Sequence, residues 1–319
     1  MQTATITITT RSCYRYKPTR VCIPIGMACN AKCRYCMRLA GKVREPRGLS
    51  PLMRGFLKQL DPATTEAVVI NGGEPLLYVD RIKEVFSLVP PEIHRCVMTN
   101  GKLLTQEFVD YLNSIDGELH FSHEGTAAKA LKGFDVLDDP KIVGLLNQVH
   151  TMRLYTIVTA LNPDVLESYE YIASKLDKVQ LLWFTPFPMF AFVGSNGDLQ
   201  KGFDYARYGR SIVEMWMKHP DAVGRSPHHA RYVRNSGFVV MPNGDVSSLC
   251  TLRKYGTVLN SREELVAEAR RVGEFDYCDH AECSCRRYCS MAPQLANDFT
   301  CSALRMHLKA LEYMRGLDA

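Results

Sequence analysis

Apolar stretches of strand length alternate with helical patterns along residues 20–190 of the 319-residue chain. This alternation predicts repeated βα units and a parallel sheet. Helices are expected between the strands, for example Pro51 to Leu60, Gln106 to Ser114 and Val165 to Lys175. Six units predict an α/β fold, a partial (β/α)6 TIM-like barrel, whose chemistry lies at the C-terminal ends of the strands. The six predicted strands are RVCIPIG, EAVVING, HRCVMTNG, GELHFSHEG, RLYTIVTALN and KVQLLWFTPF.

The pattern changes after a predicted helix around Phe203 to Lys218. GFVVMPNGDVSSLC predicts a hairpin that turns at Asn243-Gly244. SREE, from Ser261 to Glu264, predicts a capping box that opens a helix of about 14 residues. A cysteine-rich segment follows, and then a final helix with Leu304, Leu308 and Leu311 on one face. We therefore expect a boundary near residue 225, which divides the chain into an N-terminal strand segment (1–19), the barrel (20–224) and a small C-terminal cysteine-rich domain (225–319).

Composition and charge narrow the function classes. The net charge of +5 is too small to indicate a nucleic-acid partner by itself. No apolar run is long enough to span a membrane, and the N-terminus lacks the apolar core of a secretion signal. We therefore expect a cytoplasmic protein. In such a reducing compartment, clustered cysteines among the 12 in the chain indicate metal binding rather than disulfides.

Three cysteines, Cys29, Cys33 and Cys36, directly follow the first predicted strand. Three thiolates on a short loop can hold three irons of a four-iron cluster and leave the fourth iron open for a substrate or cofactor. A zinc site completed by a distant residue is the alternative. Zinc ligands usually come in pairs along the chain, and this spacing does not follow that rule. The spacing therefore favours an iron–sulfur centre.

The motif C-x3-C-x2-C, with Tyr35 before its last cysteine, resembles the radical S-adenosylmethionine (SAM) enzymes. This resemblance implies a 4Fe–4S cluster that binds SAM, reductive cleavage to a 5′-deoxyadenosyl radical, and hydrogen-atom abstraction from a substrate. It also implies an external reductant such as a flavodoxin or ferredoxin. Asn71-Gly72-Gly73-Glu74-Pro75 resembles the family's GGEP motif. The motif implies that Gly72 and Gly73 let the backbone approach the methionine amine, and that Glu74 accepts a hydrogen bond from this amine.

The same resemblance implies further SAM contacts on the rim of the barrel. Tyr35 would lie near adenine, and its alternative role is that of a core aromatic residue. Asn100 (after Thr99), Ser122 and Asn162 would contact ribose and carboxylate, and each is equally suited to a helix cap or a turn. His123 and Glu124, at the end of the fourth strand, could form a catalytic acid–base pair. Their alternative role is to pair with a neighbouring Arg or Lys on the rim.

The C-terminal cysteines, in their order after the hairpin, resemble the SPASM/Twitch extension of radical SAM enzymes. The resemblance implies one or two auxiliary iron–sulfur clusters. The chain departs from the full pattern, since Asn260 stands where the pattern has a cysteine. Two distributions of the ligands stay open. In one, a complete cluster uses Cys278, Cys283, Cys285 and Cys301, and Cys250 and Cys289 belong to a depleted second site; in the other, a single cluster uses Cys250 and Cys289 and leaves two of the middle cysteines spare. A zinc-stabilised domain is a further alternative. The six candidate ligands are Cys250, Cys278, Cys283, Cys285, Cys289 and Cys301.

Three functions are consistent with the sequence. The first is the modification of a peptide or protein by oxidation, cross-linking or epimerisation, which is typical of the SPASM/Twitch subfamily. Only 28 residues precede Cys29, so a leader-binding winged helix is not expected there, and a separate recognition protein or direct docking would be needed. The second is a dehydrogenase or isomerase of a small metabolite such as an aminocyclitol, sugar or nucleoside. The third is a non-catalytic iron–sulfur or zinc scaffold that binds a partner.

Overall fold

A computed structural model describes residues 14–36, 48–177, 180–186, 199, 202, 204–219, 238–248 and 253–272. Within this part of the chain, six parallel strands form one sheet in which each strand pairs with the next along the chain. The strands are β1 (Arg20–Gly26), β2 (Ala67–Gly72), β3 (His94–Thr99), β4 (Glu118–Ser122), β5 (Thr151–Val158) and β6 (Gln180–Pro186). All six predicted strands are confirmed.

Helices connect successive strands. Several begin at a residue whose side chain accepts a backbone N–H of the first turn: Ser50, Thr105, Asp139, Asp164 and Asp204. Such caps satisfy donors that the helix itself leaves free. The helices are α1 (Pro51–Lys58), α2 (Val79–Leu88), α3 (Gln106–Ser114), α4 (Ala128–Lys132), α5 (Pro140–Gln148), α6 (Val165–Ala173) and α7 (Tyr205–Lys218). Short 3-10 turns lie at Pro75–Tyr78, Gly125–Ala127 and Val136–Asp138.

The strand order determines the shape of the barrel. Parallel neighbours joined by right-handed crossovers place every connecting helix on the same face and curve the sheet. Alternate residues such as Val21, Ile23 and Ile25 pack into the main core. Their neighbours face the barrel interior, where Cys22 and Cys96 lie in a separate apolar cluster. The fold is the predicted α/β partial barrel.

A small antiparallel sheet contains β7 (Phe238–Val240), β8 (Asp245–Ser248) and β9 (Lys254–Thr257). The predicted hairpin is confirmed because β7 and β8 pair across the turn at Asn243-Gly244. The capping box at Ser261 and Glu264 is also confirmed. The helix that it opens, α8 (Arg262–Arg271), has ten residues rather than about 14.

Several predictions fall wholly or mostly outside the described residues: the N-terminal strand segment (1–19), of which only residues 14–19 are described and are not in a strand, the boundary near residue 225 and the final leucine-faced helix. The division into three segments therefore stays a prediction. Among the helices that the structure describes, none is long and apolar enough to cross a membrane.

Candidate cofactor site

The three-cysteine loop leaves the C-terminal end of β1, the rim where a barrel of this type places its chemistry. Cys29, Cys33 and Cys36 are all half-buried and free of disulfides. The Cys36 amide donates to the Cys33 carbonyl at 3.1 Å, which makes a turn between these two candidate ligands. The Ala31 amide donates to the Cys29 sulfur at 3.4 Å. Such an N–H···S bond stabilises a thiolate and is one of the ways in which a protein tunes an iron–sulfur cluster.

The Cys29 and Cys33 thiols share one electrostatic environment. Burial raises the pKa of Cys33 to about 12, and the nearby Lys132 ammonium opposes that rise. Burial also raises the pKa of Cys29, and the Cys36 sulfur adds to the effect. Mutual repulsion of the thiolates contributes at both positions. Thiols that resist ionisation on their own, as those of Cys29 and Cys33 do, suit a metal centre, because the charge of a bound metal replaces their protons.

The Gly72-Gly73-Glu74 segment lies directly against the base of this loop. The Gly73 amide donates to the Gly26 carbonyl at 2.9 Å, and the Glu74 amide donates to the Ala28 carbonyl at 2.8 Å. A Cβ at Gly73 would lie 2.1 Å from the Ala28 oxygen, so no larger residue fits here without moving the backbone. The glycine is therefore needed for the contact between the two loops, a role that the sequence did not indicate.

Glu74 connects strands β2 and β3. Its Oε1 atom accepts from the Thr99 hydroxyl at 2.6 Å and the Leu76 amide at 3.0 Å, and its Oε2 atom accepts from the Asn100 amide at 3.0 Å. Burial raises the pKa of this carboxyl, while these hydrogen bonds oppose the rise. Oε2 keeps a second lone pair, because a carboxylate oxygen can accept two hydrogen bonds. The predicted bond to the methionine amine therefore stays a prediction that this geometry permits.

Asn100 connects the end of β3 to the cysteine loop through Asn30. The Lys102 amide donates to Asn100 Oδ1 at 3.0 Å, and Asn100 Nδ2 donates to Asn30 Oδ1 at 2.8 Å. The Asn30 Nδ2 atom is buried and has no hydrogen-bond partner among the residues that the structure describes. A buried amide donor on the residue that follows Cys29 in the loop fits a site that holds an anionic group such as an iron–sulfur cluster. Asn30 was not among the predicted site residues, although it lies inside the CNAKCRYC motif.

A second connection joins the cysteine loop to β4. The Tyr35 hydroxyl donates to Glu124 Oε1 at 2.5 Å. Lys132 Nζ lies 2.8 Å from Glu124 Oε2 and donates to the Ser122 carbonyl and hydroxyl at 2.5 and 3.1 Å. The Lys132 and Glu124 side chains are 3% and 0% exposed. Lys132, at the end of α4, is a site residue that the sequence pattern did not reveal.

The predicted acid–base pair has no shared contact in this arrangement. Glu124 faces Lys132 and Tyr35, whereas His123 Nε2 lies 2.9 Å from Asp135 Oδ1 and His123 Nδ1 accepts from the Gly125 amide. His123 is 1% exposed, and both ring nitrogens are used within the chain. These contacts match the alternative of rim pairing for Glu124 and give His123 a positioning role. A catalytic role for either residue stays a prediction.

Asn162 holds the end of β5 in place. Its Oδ1 atom accepts from the Thr159 amide and hydroxyl, both at 2.8 Å. Its Nδ2 atom donates to the carbonyls of Ile157 at 2.9 Å and Glu124 at 3.3 Å. These are the contacts of a turn residue, the alternative that the sequence left open, and the predicted contact with SAM stays a prediction.

A further ligand-like cluster lies in the barrel interior, where Cys96, Glu118 and His120 approach one another. Glu118 Oε1 already binds His120 Nε2 at 2.5 Å and Arg153 Nε at 3.0 Å. The Arg153 charge disfavours a cation here, so this cluster is a structural network rather than a metal centre. The six C-terminal cysteines, Cys250 to Cys301, lie outside the described residues.

Comparison with known proteins agrees with this geometry. Residues 23–139 match the radical SAM superfamily, and no curated protein matches the sequence at a significant level. A structure of native anSMEcpe with bound AdoMet and Kp18Cys peptide has 16% identity and a TM-score of 0.68, over 94% of this chain and 98% of that one.

Two further structures resemble the chain in the same way. Native anSMEcpe with bound AdoMet alone has 15% identity and a TM-score of 0.67, over 93% of this chain and 99% of that one. Streptococcus suis SuiB bound to S-adenosylmethionine has 17% identity and a TM-score of 0.60, over 86% and 72%. At these identities the structures show a shared fold.

Proposed function

Because residues 23–139 match the radical SAM superfamily, we propose that this protein reductively cleaves S-adenosylmethionine and uses the 5′-deoxyadenosyl radical to abstract a hydrogen atom from its substrate. The observation that supports the proposal is the set of contacts that the cysteine loop makes at the C-terminal ends of the strands. The loop of three cysteines is bound there by the Gly-Gly-Glu segment after β2 and by Asn100 after β3. This is a ligand set for three irons supported from two neighbouring strands.

Cys29, Cys33 and Cys36 would hold the 4Fe–4S cluster, which supplies one-electron chemistry and an open iron for SAM when it is bound. The chain's own residues prepare that site. Ala31 donates to the Cys29 sulfur, and the Lys132 ammonium lowers the pKa of Cys29 and Cys33 against the effect of burial. These residues thereby favour thiolates where ligands are required.

SAM is proposed to bind along the same rim, near Gly72, Gly73, Glu74, Asn100, Ser122 and Tyr35. Glu74 keeps one free acceptor position on Oε2, which suits an ammonium group. Lys132 and Ser122 offer a positive charge and a hydroxyl close to the cysteine loop, and these suit a carboxylate. For Lys132 to bind a carboxylate, its ammonium would need to be shared with Glu124.

The substrate is proposed to be a peptide or protein. Support comes from the similar structures, which include anSMEcpe with a bound peptide and, at a TM-score of 0.53, SuiB bound to the precursor peptide SuiA. We also propose that the six C-terminal cysteines hold at least one auxiliary cluster, and that a flavodoxin or ferredoxin supplies electrons in the cytoplasm. An auxiliary cluster could accept an electron from the substrate radical, which would give net oxidation or a cross-link.

Anaerobic reconstitution tests the proposal. Iron and zinc are measured in the wild type and in the variant Cys29→Ala/Cys33→Ala/Cys36→Ala, and both are given reductant and SAM and assayed for 5′-deoxyadenosine. The variant should lose about four irons and all nucleoside production. Stoichiometric zinc without nucleoside in the wild type would instead indicate a metal-stabilised scaffold.

A further inference from the structure

The amide of Asn30 is held in one orientation by its neighbours. Lys102 N–H donates to Asn100 Oδ1, which leaves Asn100 Nδ2 to face Asn30 Oδ1 at 2.8 Å. The Asn100 amide N–H is itself fixed by Glu74 Oε2 at 3.0 Å. Because a carboxamide has one acceptor end and one donor end, the Asn30 donor must point away from Asn100.

The acceptor end of this amide faces the first cysteine, because the Cys29 thiol donates to Asn30 Oδ1 at 3.9 Å. Nδ2 is the other end of the same planar amide. The Nδ2 atom is buried without a hydrogen-bond partner within the described part of the chain. An unsatisfied buried donor costs free energy, so its retention here is explained if an acceptor arrives when the site is loaded.

We propose that Asn30 Nδ2 donates a hydrogen bond to a sulfur of the bound cluster and thereby raises its reduction potential, with Asn100 as the residue that orients the amide. This inference rests on the proposed function, since it assumes a cluster on Cys29, Cys33 and Cys36. A hydrogen bond to sulfur favours the more negative, reduced form, and hydrogen bonds to the sulfurs are known determinants of cluster potential.

The test is an EPR-monitored potentiometric titration of the reconstituted full-length protein without SAM. The EPR signal of the Cys29→Ala/Cys33→Ala/Cys36→Ala variant is subtracted to remove the contribution of any auxiliary clusters. Asn30→Leu should decrease the equilibrium constant for one-electron reduction about tenfold, which is about 59 mV. Asn30→Asp keeps the acceptor for Asn100 but removes the donor, so its potential should also fall. Asn100→Leu should give a smaller shift in the same direction.

Asn113→Leu is the matched control. Asn113 binds the Gln148 carbonyl and the His150 amide, both at 2.9 Å, next to the start of β5. Its loss should leave the potential unchanged while removing a comparable number of hydrogen bonds. An Asn30→Leu protein with full iron content and the wild-type potential would overturn the proposal.

A second measurement, made on the wild type, tests the inference even if the Asn30 variants fail to bind the cluster. Wild-type protein labelled with 15N in its asparagine side chains should show a 15N hyperfine coupling to the reduced cluster. Absence of that coupling would overturn the inference. Should the triple alanine variant lose no iron, the proposed function fails; should it lose iron while Asn30→Leu changes nothing, only this inference fails.

Discussion

The ion pair between Lys132 and Glu124 gives the sharpest test of how the site is built. Lys132 Nζ lies 2.8 Å from Glu124 Oε2, and the two side chains are 3% and 0% exposed. Lys132→Met keeps an unbranched apolar chain but removes the ammonium and its bonds to Ser122. The Glu124 carboxylate then stays buried with the Tyr35 hydroxyl and without this counter-charge.

The expected loss follows from that uncompensated charge. Removing one partner of a buried ion pair costs about 3–5 kcal/mol of unfolding free energy. At about 2 °C for each kcal/mol, the lower end of the usual range for large domains, Tm should fall by roughly 6–10 °C. Replacing both partners, in Lys132→Met/Glu124→Gln, leaves no buried charge, so that variant should recover about half of the loss or more.

Thermal unfolding of the three variants, with and without reconstituted cluster, measures these differences. Lys129→Met is the matched control because Lys129 lies in the same helix and pairs with Asp138 at 2.7 Å, but its side chain is 70% exposed. No measurable change in Tm is expected for it, since exposed pairs contribute little. Equal Tm values for the Lys132→Met and Lys129→Met variants, or a double variant as unstable as Lys132→Met, would refute the reasoning.

Two other predictions rest on different contacts near the cysteine loop and the end of β4. Gly73→Ala should reduce iron incorporation at the cysteine loop by displacing Ala28. Gly144→Ala in α5 is the control, because nothing lies within 4 Å of its Cβ position, and it should leave the iron content unchanged. Equal iron content in the two variants would contradict this prediction. Burial raises the pKa of Asp135, but its hydrogen bonds to His123 and Tyr171 outweigh burial and bring the pKa to about 2. Because the folded-state value is the lower one, Asp135→Asn should cost about 2 kcal/mol in the cluster-free protein at pH 7. This difference in unfolding free energy between the wild type and the variant, measured by denaturant titration, should shrink as the pH falls from about 4 towards 2. A difference that does not depend on pH would contradict the prediction.

The barrel was predictable because each of its strands is encoded by a short, continuous stretch of the sequence. Each strand is a short apolar run, and β1 matches its predicted bounds of Arg20 to Gly26. The cysteine triad and the Gly-Gly-Glu segment were found for the same reason, since their spacing along the chain carries the information. Parallel pairing in chain order then brought them to one rim.

Two residues that support the site, Lys132 and Asn30, were not predictable in this way. Lys129 and Lys132 lie three residues apart in AKALK and look alike, yet one is exposed and the other is buried against Glu124. Which face of α4 meets the rim depends on tertiary packing. Asn30 is similar, because its role depends on Asn100, which is 70 residues away. Sequence motifs therefore identified the candidate ligands and several of their neighbours, and packing identified Lys132 and Asn30 as further residues that support them.

The cysteine loop is anchored from three successive strands. Its base binds Gly73 and Glu74 after β2, Asn30 binds Asn100 after β3, and Tyr35 binds Glu124 beyond β4. Ordering a loop costs about 1–2 kcal/mol for each residue, more than any one of these hydrogen bonds contributes. The anchors must therefore act together, and losses of cluster retention from Gly73→Ala, Asn100→Leu and Tyr35→Phe should be non-additive when combined. Strict additivity would mean that each strand fixes its own part of the loop independently.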